Sequence, residues 1–259
     1  MGLPAVLSNY LTPQELDQID EVPELEGMRR LTRDLHAVDL LRDLTTRPGP
    51  QFILVVKSDV HFPFEHAYPI EHAQFRPHLG TGGGLPGKVL LENSYKNAIA
   101  WNVEQCFEAL LSKVSFENTV LLYTADHGQN LLDNDTMLTP CATSQPSPFE
   151  GLVPMLAITQ HPDWTDQFRH AATQNLNRTS HFNLFATLLR LFGYDRDQIS
   201  AGHFEPSLLD AINRDYGFTY GGILPHIAVG RYREMPRHKI PRAILDNRTP
   251  DHVPFFEPS

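Results

Sequence analysis

"TVLLYTADHGQN", residues 119–130, is the stretch on which the reading of the fold turns. The apolar run up to Ala125 reads as a buried strand. Asp126, His127 and Gly128 follow directly, and the glycine lets the backbone turn at once. A carboxylate at the end of a buried strand costs free energy unless something satisfies it. An acid and an imidazole side by side are good ligands for a divalent ion such as Zn²⁺ or Mn²⁺. The other reading is an Asp that caps the next turn beside a histidine satisfied by packing. Two ligands alone make no metal site, so the flanking sequence has to be weighed.

Working outward, residues 94–114 place Ile99, Val103, Phe107, Leu110 and Leu111 on one helical face. Residues 29–46 do the same with Leu31, Leu35, Val38, Leu41 and Leu44. A shorter helix follows Thr12 and Pro13, an N-cap and N1 pair. "QFILVV" at 51–56 is a continuous apolar run and reads as a strand buried on both faces. "LVPMLAIT" at 152–159 reads as a third strand, with helices near 163–174 and 180–193. Residues 205–259 read as one helix, then short strands and a tail. Strands separated by helices predict an α/β domain with a mainly parallel central sheet and helices on both faces. The expected organisation is an N-terminal extension over 1–28, the α/β domain over 29–204, and a C-terminal segment of the same domain with a tail over 205–259.

The bulk properties exclude several function classes. The chain has 259 residues, is 41% hydrophobic and carries a formal charge of −10, which suits one large domain. No basic stripe is present, so a nucleic-acid backbone is not an expected partner. No run of about 18 apolar residues exists, so no segment reads as a bilayer span. The two cysteines, Cys106 and Cys141, lack metal-type spacing and leave thiols and a disulfide both open. The glycine-rich "GTGGGLPGK" at 80–88 resembles a phosphate-binding loop only superficially, because Val89 stands where a Ser or Thr is needed. It reads as a flexible loop.

In an open α/β sheet, functional groups gather beyond the carboxyl ends of the strands. Asp126 and His127 stand there. So does His61, in "HFPFEHAYP" at 61–69, which suits contact with a phosphate or sulfate oxygen or with a second metal. Asp59 and His66 read as structural. His181, in "NRTSHFNLFATLLRLFGY" at 177–194, falls in a first helical turn, where Ser180 or Thr179 is an expected N-cap and Leu184, Leu188 and Leu191 are expected to face the core.

The order of these pieces resembles the sulfatase-like part of the alkaline phosphatase superfamily. The words that carry it are "HFPF…YP", "NSYKNAI" at 93–99, "LLYTADHG", "VPML" and "SHFNLFATLLRLFGY". The branch most resembled is that of bacterial phosphoethanolamine and phosphoglycerol transferases, from about Leu25 to Tyr194. The resemblance implies an alkaline-phosphatase-like sheet, with Asp126 and His127 holding one divalent metal, zinc or manganese, and His61 touching the substrate. It implies a phospholipid head group, or another phosphate or sulfate ester, as the partner, and a periplasmic or extracytoplasmic location. His181 matches a recurrent motif position without an assigned role. In that family a metal-held Thr attacks phosphorus. No strand followed by a suitable Glu and Thr precedes residue 50, so no catalytic nucleophile is identified and the fold is expected to be incomplete at its N-terminal side. Thr139 falls where the family has a further histidine. The expectation is a partial domain for metal-dependent phosphoryl or sulfuryl transfer or hydrolysis, inactive alone and prone to self-association. The alternative is a non-catalytic relative that acts as a binding or interaction module.

Overall fold

Thr12 opens the first helical turn as the pattern predicts. Its hydroxyl accepts from Glu15 N, and the Glu15 carboxylate accepts from Thr12 N, which satisfies two otherwise orphaned amides. This turn is α1, Pro13–Leu16. The structure is a computed structural model that describes residues 12–23, 30–57, 60–80, 87–133, 146–220 and 231–235. The chain divides into two compact units, Met1–Val114 and Ser115–Ser259.

In the first unit, α2 (Arg30–Thr45) and α4 (Gln105–Lys113) pack together, and α3 (Lys88–Ile99) runs into α4 through a π-helical turn at Ala100–Glu104. Val38 and Ala37 of α2 are buried, and so is Asp34. The apolar run at 51–56 was expected to be a strand, and it is not. Residues 51–57 are irregular, and Phe52, Leu54 and Val56 are each about 60% or more exposed. A short continuous apolar run has the composition of a buried strand, but pairing is a long-range property that composition does not contain. The segment ends on Lys57, whose ammonium pairs with Asp34 and donates to the Asn102 carbonyl at 3.2 Å.

Residues 60–80 are irregular apart from two 3₁₀ turns at Phe64–His66 and Ile70–His72. Several of their backbone groups are satisfied by side chains of α3 and of the π-helical turn that follows it. Asn97 Oδ1 accepts from Gln74 N and Phe75 N at 2.8 Å each, and its Nδ2 donates to Phe75 O at 2.9 Å. Ser94 Oγ accepts from Leu79 N, Asn93 donates to Pro77 O, and Asn102 donates to Ala67 O. The "NSYKNAI" motif is thus the rack on which the histidine-bearing segment hangs. Phe64 is fully buried, with its ring edge-on to Tyr95 at 5.0 Å.

In the second unit, β1 (Leu121–Thr124) pairs with β2 (Met155–Ile158) in an antiparallel ladder, Leu121 opposite Ile158 and Thr124 opposite Met155. The mainly parallel sheet expected from the sequence is not found among the described residues, which form two antiparallel two-stranded sheets. A parallel pair needs a long crossover, usually a helix. The described part of the link between β1 and β2 contains no α-helix and only 3₁₀ structure, such as Pro148–Glu150. Then come α5 (Pro162–Gln174), α6 (Phe182–Leu191) and α7 (Arg196–Ala201), and β3 (Gly217–Tyr220) pairs with β4 (Arg231–Glu234).

The structure departs from the sequence reading at two further places. The most deeply buried residues of α6 are Asn183, Ala186 and Thr187, while Leu184, Leu188 and Leu191 are half-buried. The helix expected after residue 205 does not form among the described residues. Side chains of earlier helices take its amides instead: Leu208 N donates to Thr187 Oγ1 at 2.8 Å and Ile212 N to Asn175 Oδ1 at 3.1 Å. Ser207 and Asp210 close a local turn that competes with helix.

Candidate functional site

The strand β1 delivers its last residue, Thr124, to the edge of the ladder, and Asp126, His127 and Gly128 follow in an irregular loop. Gly128 is required by its surroundings. A Cβ there would lie 1.9 Å from the Phe149 carbonyl oxygen and 2.9 Å from that of Leu152. Only glycine lets the Gly128 amide reach the Glu150 carbonyl, to which it donates at 2.8 Å. Glu150 is itself fully buried and closes a capping box with Ser147. The acid and imidazole are therefore set on a loop pinned behind them by backbone.

Within that loop, His127 N donates to Asp126 Oδ1 at 2.9 Å. His127 Nδ1 lies 2.7 Å from the Gly128 carbonyl. A carbonyl only accepts, so Nδ1 carries the proton, and in the neutral ring Nε2 presents its lone pair. That is the arrangement by which a backbone carbonyl orients a histidine that ligates a metal. Nε2 faces Asp126 Oδ2 at 3.7 Å, too long for a hydrogen bond. One ion at zinc bond lengths of about 2.0–2.2 Å reaches both atoms.

Burial changes the argument made from sequence. The Asp126 side chain is 89% exposed and that of His127 36%. Water already solvates the carboxylate, so its position at a strand end carries no desolvation cost that demands a partner. The geometry, rather than the cost of a buried charge, is what favours a shared cation. The pair fits a metal as two of its ligands. Among the described residues no group of three or more His, Cys, Asp or Glu side chains is placed to hold an ion.

His61 belongs to the first unit, at the start of the segment held by α3, and is exposed. Its Nδ1 lies 2.7 Å from the Phe62 carbonyl, so its ring is held in the same tautomer as that of His127. His66 is the last residue of the first 3₁₀ turn, and its amide donates to Pro63 O. Asp59, Thr139, Cys141 and the glycine-rich residues 81–86 lie outside the described residues.

Sequence reasoning missed Thr124. Its Oγ1 donates to Pro154 O at 2.8 Å and lies 3.0 Å from His181 Nε2. His181 thus stands in the second unit beside the strand end that leads to Asp126. The two residues are separated by 57 positions, and no local pattern links them.

The sequence model of the family described as Sulfatase matches residues 26–194. The chain is similar to two Kdo(2)-lipid A phosphoethanolamine 7''-transferases. That of Salmonella typhimurium (strain LT2) is 25% identical over 190 residues, and that of Escherichia coli (strain K12) is 24% identical over 189. Each alignment covers 69% of this chain and 32% of the relative, so the chain spans about a third of the length of the curated relatives it matches. Among solved structures, the C-terminal periplasmic domain of EcEptC from Escherichia coli, in complex with Zn, aligns over 81% of this chain and 58% of its own. Its TM-score is 0.46 and its identity 18%.

Proposed function

The chain belongs to the sulfatase family, and on that premise we propose that it is a module for metal-dependent phosphoryl transfer from a phospholipid head group in an extracytoplasmic compartment. Asp126 and His127 supply two ligands to one divalent cation, zinc or manganese. The observation that carries this reading is the pairing of His127 Nε2 with Asp126 Oδ2 at 3.7 Å, with Nδ1 of the same ring tied to the Gly128 carbonyl. A bound cation supplies Lewis-acid stabilisation of charge on phosphoryl oxygens and lowers the pKa of a ligated hydroxyl.

The chain's own residues do the rest of the work assigned to them. The Gly128 carbonyl fixes the tautomer of His127, so that Nε2 is the donor atom. The His127 amide holds Oδ1 of Asp126, which leaves Oδ2 directed at the same space. His61, exposed in the first unit and oriented by the Phe62 carbonyl, is a group of the kind that binds a phosphate or sulfate oxygen. Donor lipids with a phosphoethanolamine or phosphoglycerol head group both match this chemistry.

A second reading, that of a non-catalytic binding module, is favoured by one observation: the Asp126–His127 pair gains no third ligand among the described residues. Vesicles containing phosphatidylethanolamine separate the two. Zn²⁺ or Mn²⁺ is added, and water is the acceptor because no nucleophilic side chain is identified. The transfer reading then expects release of diacylglycerol and phosphoethanolamine, against the inactivity expected from the sequence, and that release disappears in Asp126→Ala and His127→Ala. No release from the parent chain, together with retained metal, selects the binding module.

A further inference from the structure

Three chain segments converge on the Thr124 hydroxyl: the end of β1, the residue before β2, and the entry to α6. A hydroxyl has one proton to give. The carbonyls of Pro154 at 2.8 Å and Ala125 at 3.3 Å can only accept it, so Oγ1 is left as the acceptor for His181 Nε2 at 3.0 Å. Asp126 lies two positions beyond Thr124, and Gly128 is pinned to the Glu150 carbonyl. The residues Ala125–His127 therefore hang between two clamps. One is a backbone hydrogen bond, and the other is a hydroxyl held by an imidazole.

His181 is itself rigidly placed. Ser180 N donates to Asn183 Oδ1 at 2.8 Å, Asn183 N to Ser180 O at 3.0 Å, and Leu184 N to His181 O at 3.0 Å. Asn183 is fully buried, and its Nδ2 donates to Pro206 O and to the Tyr216 hydroxyl. An imidazole on so well-anchored a helix start can set the position of whatever it holds. We propose that His181 is a positioning residue: through Thr124 Oγ1 it fixes the end of β1 from which Asp126 and His127 project, and so sets the spacing of the two ligand atoms. Its consequence for metal affinity rests on the cation reading given above, but the positional role does not.

The test uses the full chain. Amide ¹H–¹⁵N spectra of the metal-free protein are compared for the parent, His181→Ala, Thr124→Val and Thr124→Ser, and Zn²⁺ affinity is then measured by competition with a chromophoric chelator. His181→Ala and Thr124→Val shift or broaden the same amide signals across Ala125–Gly128, while Thr124→Ser, which keeps the hydroxyl, leaves them in place. Zn²⁺ binding weakens by about 10-fold or more in the first two variants, the usual effect of losing a group that orients a ligand. Unmoved signals at 125–128 in His181→Ala overturn the proposal. So does a lowered melting temperature with those signals and the Zn²⁺ affinity both unchanged. If His181→Ala fails to fold, Thr124→Val gives the same reading. Failure of the cation reading shows separately, as Zn²⁺ uptake by the parent that Asp126→Ala does not alter, while the amide signals still decide the role of His181.

Discussion

The segment that carries His61 and the loop that carries Asp126 and His127 are both irregular, yet they are held in opposite ways. The first is hung on the side chains of a helix. Asn93, Ser94, Asn97 and Asn102 take its backbone amides and carbonyls one after another. The second is held at its ends, by the Gly128 amide on one side and the Thr124 hydroxyl on the other. Buried amide side chains that satisfy several backbone groups at once are costly to remove, because each orphaned group pays its full desolvation. A loop clamped at two points places its side chains accurately while leaving them in solvent. The first region therefore contributes stability, and the second contributes a ligand geometry.

Three substitutions test the difference between the two regions. The largest effect on stability is expected for Asn97→Ala, which strands Gln74 N, Phe75 N and Phe75 O. A loss of about 3 kcal/mol is expected in urea unfolding. A loss under about 1 kcal/mol would mean that water replaces the side chain and the rack is dispensable. Next is Gly128→Ala. The added methyl meets the Phe149 carbonyl at 1.9 Å, so the backbone must move. About 2 kcal/mol of destabilisation is expected from such overpacking, together with loss of Zn²⁺ binding. The smallest is Asp126→Ala. An 89% exposed side chain whose hydrogen bond from the His127 amide water can replace contributes little, and stability within about 0.5 kcal/mol of the parent is expected.

Much of this architecture could be read in advance, for reasons that differ by element. The helix Arg30–Thr45, the part of Lys88–Lys113 from residue 94 onward, and the strands around Tyr123 and Leu156 were legible because apolar spacing is a local property, whereas the first turns from Lys88 and the π turn were not. The run 51–56 misled because nothing in "QFILVV" records whether a partner strand is present. The segment after residue 205 misled because the competitors for its amides, Thr187 and Asn175, come from helices read separately. The direction of pairing between β1 and β2 depends on the path of the loop between them, which composition does not state.

The site was legible to the extent that its members are adjacent. Asp126 and His127 announce themselves as neighbours, and their chemistry follows from residue type. The reason first given for them did not survive, since the carboxylate is solvated rather than buried. His181 was visible as a motif position, but its bond to Thr124 spans 57 residues and belongs to the fold.

The function proposed for this chain requires Asp126 and His127 to share one cation. Equilibrium dialysis of the full chain against Zn²⁺, with Asp126→Ala and His127→Ala in parallel, tests it most directly. One zinc is expected to be retained per parent chain, and none in either variant at unchanged melting temperature. Equal zinc retention by the parent and both variants would contradict it.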